Sequence, residues 1–315
     1  MEVYSLEANV ARRLYTSSGE KHYLDQGIAV AQEARQRAPS DPRPLGNLFY
    51  LYLDAGLYTE AEKALEQLEG VDPIGSLFKR GLLVEKQGHP QEGLALMAEA
   101  TRLQPSWQAL LTLANHEYNQ GHLDEAFTHY NDLYQREPHR LEGLEGLAQI
   151  ELQRDPERAI PLLQKIVATT SDGDWVNNLG FALLLERRYP EAEESFRRAL
   201  KLNPDSASIA LNLADCLTLR NHPKEARPLY RKVVASANRT ATPGNWEILS
   251  VKAQALAQLG DSAHAREAIE QALKIAPNSP QLACAAAVVY TLVGDRDSAL
   301  QHARLAEPAR WRILF

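Results

Sequence analysis

Apolar residues return along this chain at the three-and-four spacing of amphipathic helices. The runs NLFYLYLDAG, LANHEYNQG, NNLGFALLLE, LNLADCLTL, AQALAQLG and AAAVVYTLVG each bring their apolar side chains to one face. Gly56, Gly88, Gly121, Gly260 and Gly294 stand where such a helix needs a left-handed residue to end. A second amphipathic run follows each turn, so the pattern predicts helix, tight turn, helix, then a short Asp/Asn/Pro turn.

The stretch YPEAEESFRRALKLNP, Tyr189 to Pro204, sets the register. Slid along the chain on its Ala192, it meets a small residue at Gly27, Ala61, Gly93, Ala126, Ala159, Ala192, Ala226, Ala265 and Ala299, in steps of 34, 32, 33, 33, 33, 34, 39 and 34 residues. Seven residues after the anchor comes an apolar residue on the same face, often alanine: Ala34, Ala100, Ala199, Ala272 and Ala306. Twelve after it comes Pro39, Pro73, Pro105, Pro138, Pro204 or Pro277, which ends the second helix for want of an amide donor. A period this regular means stacked supersecondary units. The repeats fall at about 5–40, 42–73, 74–106, 107–140, 141–172, 173–206, 207–240, 246–279 and 280–315. The repeat that holds QRDPERA has lost one residue and its final Pro, and the longer loop ANRTATPGN adjoins the seventh. Cooperativity is expected to be weakest at those two.

The pattern L-[GA]-x-x-[YLV], then G-x-[YLP]-x-[ED]-A, then [FYL]-x-x-[AV] and P resembles the tetratricopeptide repeat. NNLGFALLLERRYPEAEESFRRALKLNP is a close copy, and GLYTEAEKALEQLEGVDP and GHLDEAFTHYNDLYQREP are clear ones. The resemblance covers essentially the whole chain. It implies an all-α fold, a right-handed α-solenoid of about nine tandem helix-turn-helix repeats and hence one solenoid over residues 1–315.

Composition narrows the function classes. A chain of 315 residues that is 44% hydrophobic can bury a large core, and length alone would allow two ordinary domains. The formal charge of -7 and pI near 5.8, with no Lys/Arg cluster, argue against nucleic-acid binding and against an anionic membrane surface. No stretch of 18 apolar residues occurs, and MEVYSLEANVARR reads as a polar helix start rather than an export signal. Direct membrane insertion of this chain is therefore not expected. The compartment stays open, cytoplasmic, or periplasmic if a span outside this chain tethers it. Cys216 and Cys284 lie 68 residues apart, two repeats, or roughly 20 Å at about 10 Å per helix layer. A disulfide needs Cα atoms within about 7 Å, so both read as small buried thiols.

Catalytic chemistry is thin. His116, Glu117 and His122 in NHEYNQGH lack the spacing of a zinc helix, and Gly121 ends the helix before the second histidine. No phosphate-binding glycine loop, nucleophile elbow or kinase signature is present. Glu191, Glu193 and Glu194 sit at the start of a second helix, where carboxylates complement the positive end of the helix dipole. Asn238-Arg239-Thr240 matches a glycosylation acceptor and is read as loop polarity only. The chain is expected to be no enzyme and to need no cofactor or metal.

The resemblance implies that first helices line a concave face. Carried residue by residue onto this sequence, its contact positions give Arg43, Tyr50, Phe78, Lys86, Asn115, Tyr118, Asn119, Gln149, Asn177, Phe181, Asp215 and Gln254 as groove candidates. Neighbours at the same positions include Asp54, Glu85, Gln108, Asp174, Thr218, Glu247 and Gln258. Asparagine and glutamine offer donors and acceptors to a peptide backbone, and the rings offer apolar pockets. The expected partner is a protein or peptide segment, extended or helical. Tyr50 and Phe181 equally fit inter-repeat core. Gripping a C-terminal carboxylate takes several converging cations; Arg43 and Lys86 alone stand at such positions, so no carboxylate clamp is expected.

The final WRILF is expected to fold back on the last helices, because repeat arrays need capped ends, and exposed terminal repeats would allow a homodimer. One further resemblance concerns ARRLYTSSGEKHYLDQGIAVAQEARQRAPSDP, LNLADCLTL and AVVYTLVGDRDSALQHARLA. Together they resemble the C-terminal repeat region of certain bacterial receptor-type serine/threonine protein kinases, which implies a sensor or recruitment array in a larger signalling protein. An assembly factor or chaperone-like adaptor for a secretion, pilus or outer-membrane system is the alternative.

Overall fold

Helix starts are set locally. Asp41, Asp72, Ser106, Asp172, Ser206, Asn245, Asp261 and Ser279 each accept a first-turn backbone N–H, giving a partner to an amide that helix geometry leaves without one. Pro42, Pro73, Pro90, Pro156 and Pro280 open their helices, where a missing donor costs nothing.

The computed structural model describes residues 2–240 and 244–306. Among them the elements are α1 (Glu2–Ser18), α2 (Lys21–Arg37), α3 (Pro42–Asp54), α4 (Tyr58–Glu69), α5 (Pro73–Lys86), α6 (Pro90–Leu103), α7 (Trp107–Asn119), α8 (Leu123–Arg136) and α9 (Leu141–Arg154). They continue as α10 (Pro156–Thr169), α11 (Gly173–Leu185), α12 (Tyr189–Leu202), α13 (Ala207–Leu219), α14 (Pro223–Thr240), α15 (Trp246–Leu259), α16 (Ser262–Ile275), α17 (Pro280–Leu292) and α18 (Arg296–Ala306). The fold is an all-α solenoid of tandem helix pairs. Its contacts gather into two compact units, Met1–Gly143 and Leu144–Phe315.

In the first unit α1 packs on α2, α3 on α4, α5 on α6 and α7 on α8, and each second helix also meets the next first helix. Leu45, Phe49, Leu65, Leu68, Leu83, Met97 and Leu113 form its core. The anchors Ala61 and Ala126 are buried within it. Where the anchor is glycine the reason is contact. A Cβ on Gly93 would lie 2.6 Å from the Gly81 carbonyl oxygen, so α5 and α6 can approach this closely only without it.

In the second unit α11 packs on α12, α13 on α14, α15 on α16 and α17 on α18. Ala159, Ala192, Ala226 and Ala265 are all buried, as are Leu163, Phe196, Tyr230 and Ile269 four residues beyond them. One turn of helix places anchor and follower on the same face, so each second helix buries a small residue beside a large one. No helix among the described residues is long and apolar enough to cross a membrane.

The turns between paired helices follow the glycines. Gly56, Gly88, Gly121, Gly260 and Gly294 all have positive φ, and Arg187 and Asn221 adopt φ of 59° and 61° where glycine is missing.

Four readings of the sequence change. Pro73 does not stop a helix; α4 ends at Glu69 and Pro73 is the first residue of α5. Asn238 and Arg239 are not in a loop, because α14 runs to Thr240. Tyr230, Val233 and Ala237 continue its buried face at helical spacing, and that burial outweighs the polar composition. Cys216 is buried but Cys284 is only half-buried. Glu191 and Glu193 do more than face a helix dipole: Glu191 takes a two-pronged bond from Arg188 at 2.7 and 2.6 Å, and Glu193 pairs with Arg197 at 2.7 Å and with Arg220. The WRILF segment lies outside the described residues.

Candidate functional site

In the first unit the first helices α3, α5 and α7 contribute side chains to one cavity of about 250 Å³. Tyr50, Phe78, Lys79 and Gln108 line it, with Asp72, Gln104 and Ser106 at its polar margin. Tyr50 is fixed from three sides. Phe49 meets its ring edge-on at 5.3 Å, the Arg12 guanidinium lies 4.6 Å from its centroid, and the Lys79 ammonium 5.8 Å. Asp54 holds Arg12 through a 2.5 Å bond. Both cations face the negative π cloud, an attraction that strengthens as water is excluded. Burial pushes the Tyr50 hydroxyl above its ordinary pKa.

Lys79 is the distinctive group here. Its Nζ donates to the Gly75 carbonyl at 3.3 Å, and burial lowers its pKa even though the Asp72 charge acts the other way. An ammonium drawn out of water in this way favours an added acceptor. Phe78, beside it in sequence, is half-buried against the core. The two expected surface cations behave otherwise. Arg43 folds back onto its own helix cap, with Nη2 2.6 Å from Asp41 Oδ2, and Lys86 is exposed.

Further along the unit, α7 presents Asn115 and Asn119 at the surface and Tyr118 half-buried. Asn115 is oriented from behind, its Oδ1 accepting from the Tyr130 hydroxyl of α8 at 2.6 Å. The two histidines of NHEYNQGH do not meet: His122 Nε2 lies 3.0 Å from Gln91 Nε2, and His116 finds a carboxylate, as does His129 beyond the motif. His116 Nδ1 is 2.5 Å from Glu85 Oε2, while His129 Nδ1 is 2.7 Å from Glu117 Oε2, and that hydrogen bond raises the His129 pKa.

The second unit repeats the tyrosine device with a charge in it. Asp215 Oδ1 on α13 accepts from the Tyr230 hydroxyl of α14 at 2.6 Å and from Gln258 Nε2 of α15 at 3.4 Å. The Thr218 hydroxyl stands 3.0 Å from that of Tyr230. Burial dominates the electrostatics and pushes the Asp215 carboxyl up to about 6, against the two hydrogen bonds that favour its ionised form. Asn177 of α11 accepts from Asn212 of α13 at 2.9 Å. Gln149 on α9, Phe181 on α11 and Gln254 on α15 are half-buried. A separate cavity of about 490 Å³ opens on the second-helix side, between α12 and α14. Arg197 and Glu225 pair across its edge at 2.7 Å over a floor of leucines.

Tyr50 and Phe78 thus share one cavity, and Asp215 joins Gln258. Lys79, Tyr130, Tyr230 and Asn212 were not among the residues singled out from the sequence. A signal for the tyrosines was present: both stand four residues after an anchor, where Leu65, Met97, Leu163, Phe196 and Ile269 are core. A hydroxyl in that position needs a partner. Asn115 and Asp215 supply it from the same place in their repeats, eleven residues before the anchors Ala126 and Ala226.

Tetratricopeptide repeat profiles match residues 47–106, 78–140, 111–174, 144–207 and 219–280, and a second profile of that name matches 183–242. The chain is 27% identical over 184 residues to the human protein O-mannosyl-transferase TMTC1, a match covering 56% of this chain and 20% of that protein. The chain thus spans about a fifth of that relative's length. A tetratricopeptide repeat protein from Parabacteroides merdae ATCC 43184 superposes with a TM-score of 0.57 at 17% identity, covering 76% of this chain and 94% of that one. The C-terminal part of a repeat-containing protein from Cytophaga hutchinsonii gives 0.55 at 17% identity, over 78% and 99%. These two structures share the fold.

Proposed function

The chain belongs to the tetratricopeptide repeat family, and we propose that it is an interaction scaffold whose first helices form a concave groove for a peptide or protein segment. The observation that carries this reading is the first-unit cavity, where two rings, an amide and a desolvated ammonium meet. Tyr50 and Phe78 give an apolar side chain a place to bury, Gln108 serves a peptide backbone, and Lys79 takes an acceptor oxygen. Asn119, Gln254 and the oriented pair Asn115 and Asn177 extend the same chemistry along the first helices of each unit. The role is binding rather than catalysis.

The setting supported by the sequence resemblance is the sensing or recruitment region of a bacterial receptor-type serine/threonine kinase. A chaperone-like adaptor in envelope assembly is the alternative, and the reading frame upstream of Met1 separates the two. The groove itself is tested by selecting ligands from a displayed peptide library and measuring their affinity by fluorescence polarisation. Phe78→Ala and Gln108→Ala should each weaken the selected peptides at least about tenfold, the effect of roughly 1.4 kcal/mol, while Lys63→Ala on α4 leaves them unchanged. Equal binding by all variants would remove the groove assignment.

A further inference from the structure

Helix α1 carries an apolar stripe that its own unit leaves uncovered. Ala8 and Ala11 are buried, and Tyr4 turns toward α2, its hydroxyl 3.3 Å from Glu33 Oε1 and its ring 5.2 Å from the Arg37 guanidinium. On the other side Val3, Leu6, Val10 and Leu14 are 66, 66, 48 and 40% exposed. Their spacing puts all four within an arc of about 80° on the helix. Single exposed leucines are ordinary; a continuous stripe of four marks an interaction surface.

We propose that α1 pairs antiparallel with α1 of a second copy of this chain, about a two-fold axis near Ala8. The stripe is complementary to itself in that arrangement. A register centred on Ala8 sets Leu6 against Val10 of the second copy and brings Val3 within about one residue's rise of its Leu14. Exposed Glu2 and Arg13 lie along the same edge of the stripe, and a two-fold brings like edges together. Glu2 of each copy therefore meets Arg13 of the other, giving two ion pairs from one symmetry operation. Parallel pairing brings unlike edges together and forms neither ion pair. Antiparallel packing also opposes the helix dipoles favourably. On the opposite edge the two Glu7 side chains come near the axis, an unfavourable contact that neutralisation relieves. The surface is distinct from the first-unit cavity, so it leaves the groove accessible to a partner.

Light scattering on the 315-residue chain tests this over a micromolar concentration range. The expected mass is about 70 kDa, twice the 35.1 kDa of one chain. Leu6→Lys should give the single-chain mass with an unchanged helical circular-dichroism signal. Arg13→Glu should raise the dimer dissociation constant at least tenfold, Glu2→Arg with Arg13→Glu should restore it, and Glu7→Gln should tighten the dimer. A single-chain mass at every concentration overturns the proposal, as does a dimer indifferent to Arg13→Glu or one that the double charge exchange fails to recover.

Discussion

Replacing Asp215 by asparagine separates the cost of a buried charge from the value of its hydrogen bonds. The carboxyl titrates near 6 in the folded chain against an ordinary value of 3.8, because burial disfavours the charged form. Between those two values the folded state holds a proton that the unfolded state has lost, so stability falls as pH rises through the window and stays lower above it. A shift of about two pH units corresponds to about 3 kcal/mol at most, and partial solvent access reduces the expected figure to about 1–2 kcal/mol. Asparagine keeps an Oδ1 acceptor for Tyr230 and Gln258 and carries no charge at any pH. Asp215→Asn should therefore match the parent near pH 4 and be more stable by about 1–2 kcal/mol near pH 7. Urea midpoints at the two pH values, read by circular dichroism, give the difference directly. A variant that is less stable near pH 7, or whose difference from the parent is the same at both values, refutes the argument.

Phe196→Ala, which empties a fully buried site between α11 and α12, should lower stability by about 3–5 kcal/mol in the same urea assay. Gly180→Ala should cost about 1–3 kcal/mol, since the added Cβ falls 2.8 Å from the Phe196 ring; coupling with Phe196→Leu in a double-mutant cycle checks that the ring is the cause. His129 should titrate above its ordinary 6.5 by NMR because of Glu117, and the stability it lends, present below 6.5, should fade as pH rises through the raised value. Glu117→Gln should bring the midpoint down. Gly121→Ala, at φ +82°, should cost about 1–2 kcal/mol through left-handed strain, measured as a drop in Tm.

The fold was legible because its determinants are local and repeated. An anchor that must be small where helices touch, and a left-handed residue where a first helix ends, leave marks at fixed intervals that survive in one sequence. The end of α14 was misread because ANRT is polar, while the buried face through Val233 and Ala237 decides where the helix stops. Site residues were less legible. Arg43 reads as a groove cation from its position, but Asp41 two residues before it takes its guanidinium. Lys79 gave no signal, because its removal from water depends on α3 and α7 side chains brought beside it by packing. Periodicity states which face a residue occupies; it does not state which neighbour in the next repeat will satisfy it.

Where the chain touches its partner tests the central claim most directly. A photo-crosslinking amino acid placed in turn at Gln108, Asn119 and Gln254 on first helices, and at Lys63 and Lys232 on second helices, reports the contacting face in native cell extract. The scaffold reading predicts defined adducts of one partner from the first-helix positions and none from the second-helix positions. Adducts arising only from Lys63 or Lys232, or equally from both sets, would contradict it.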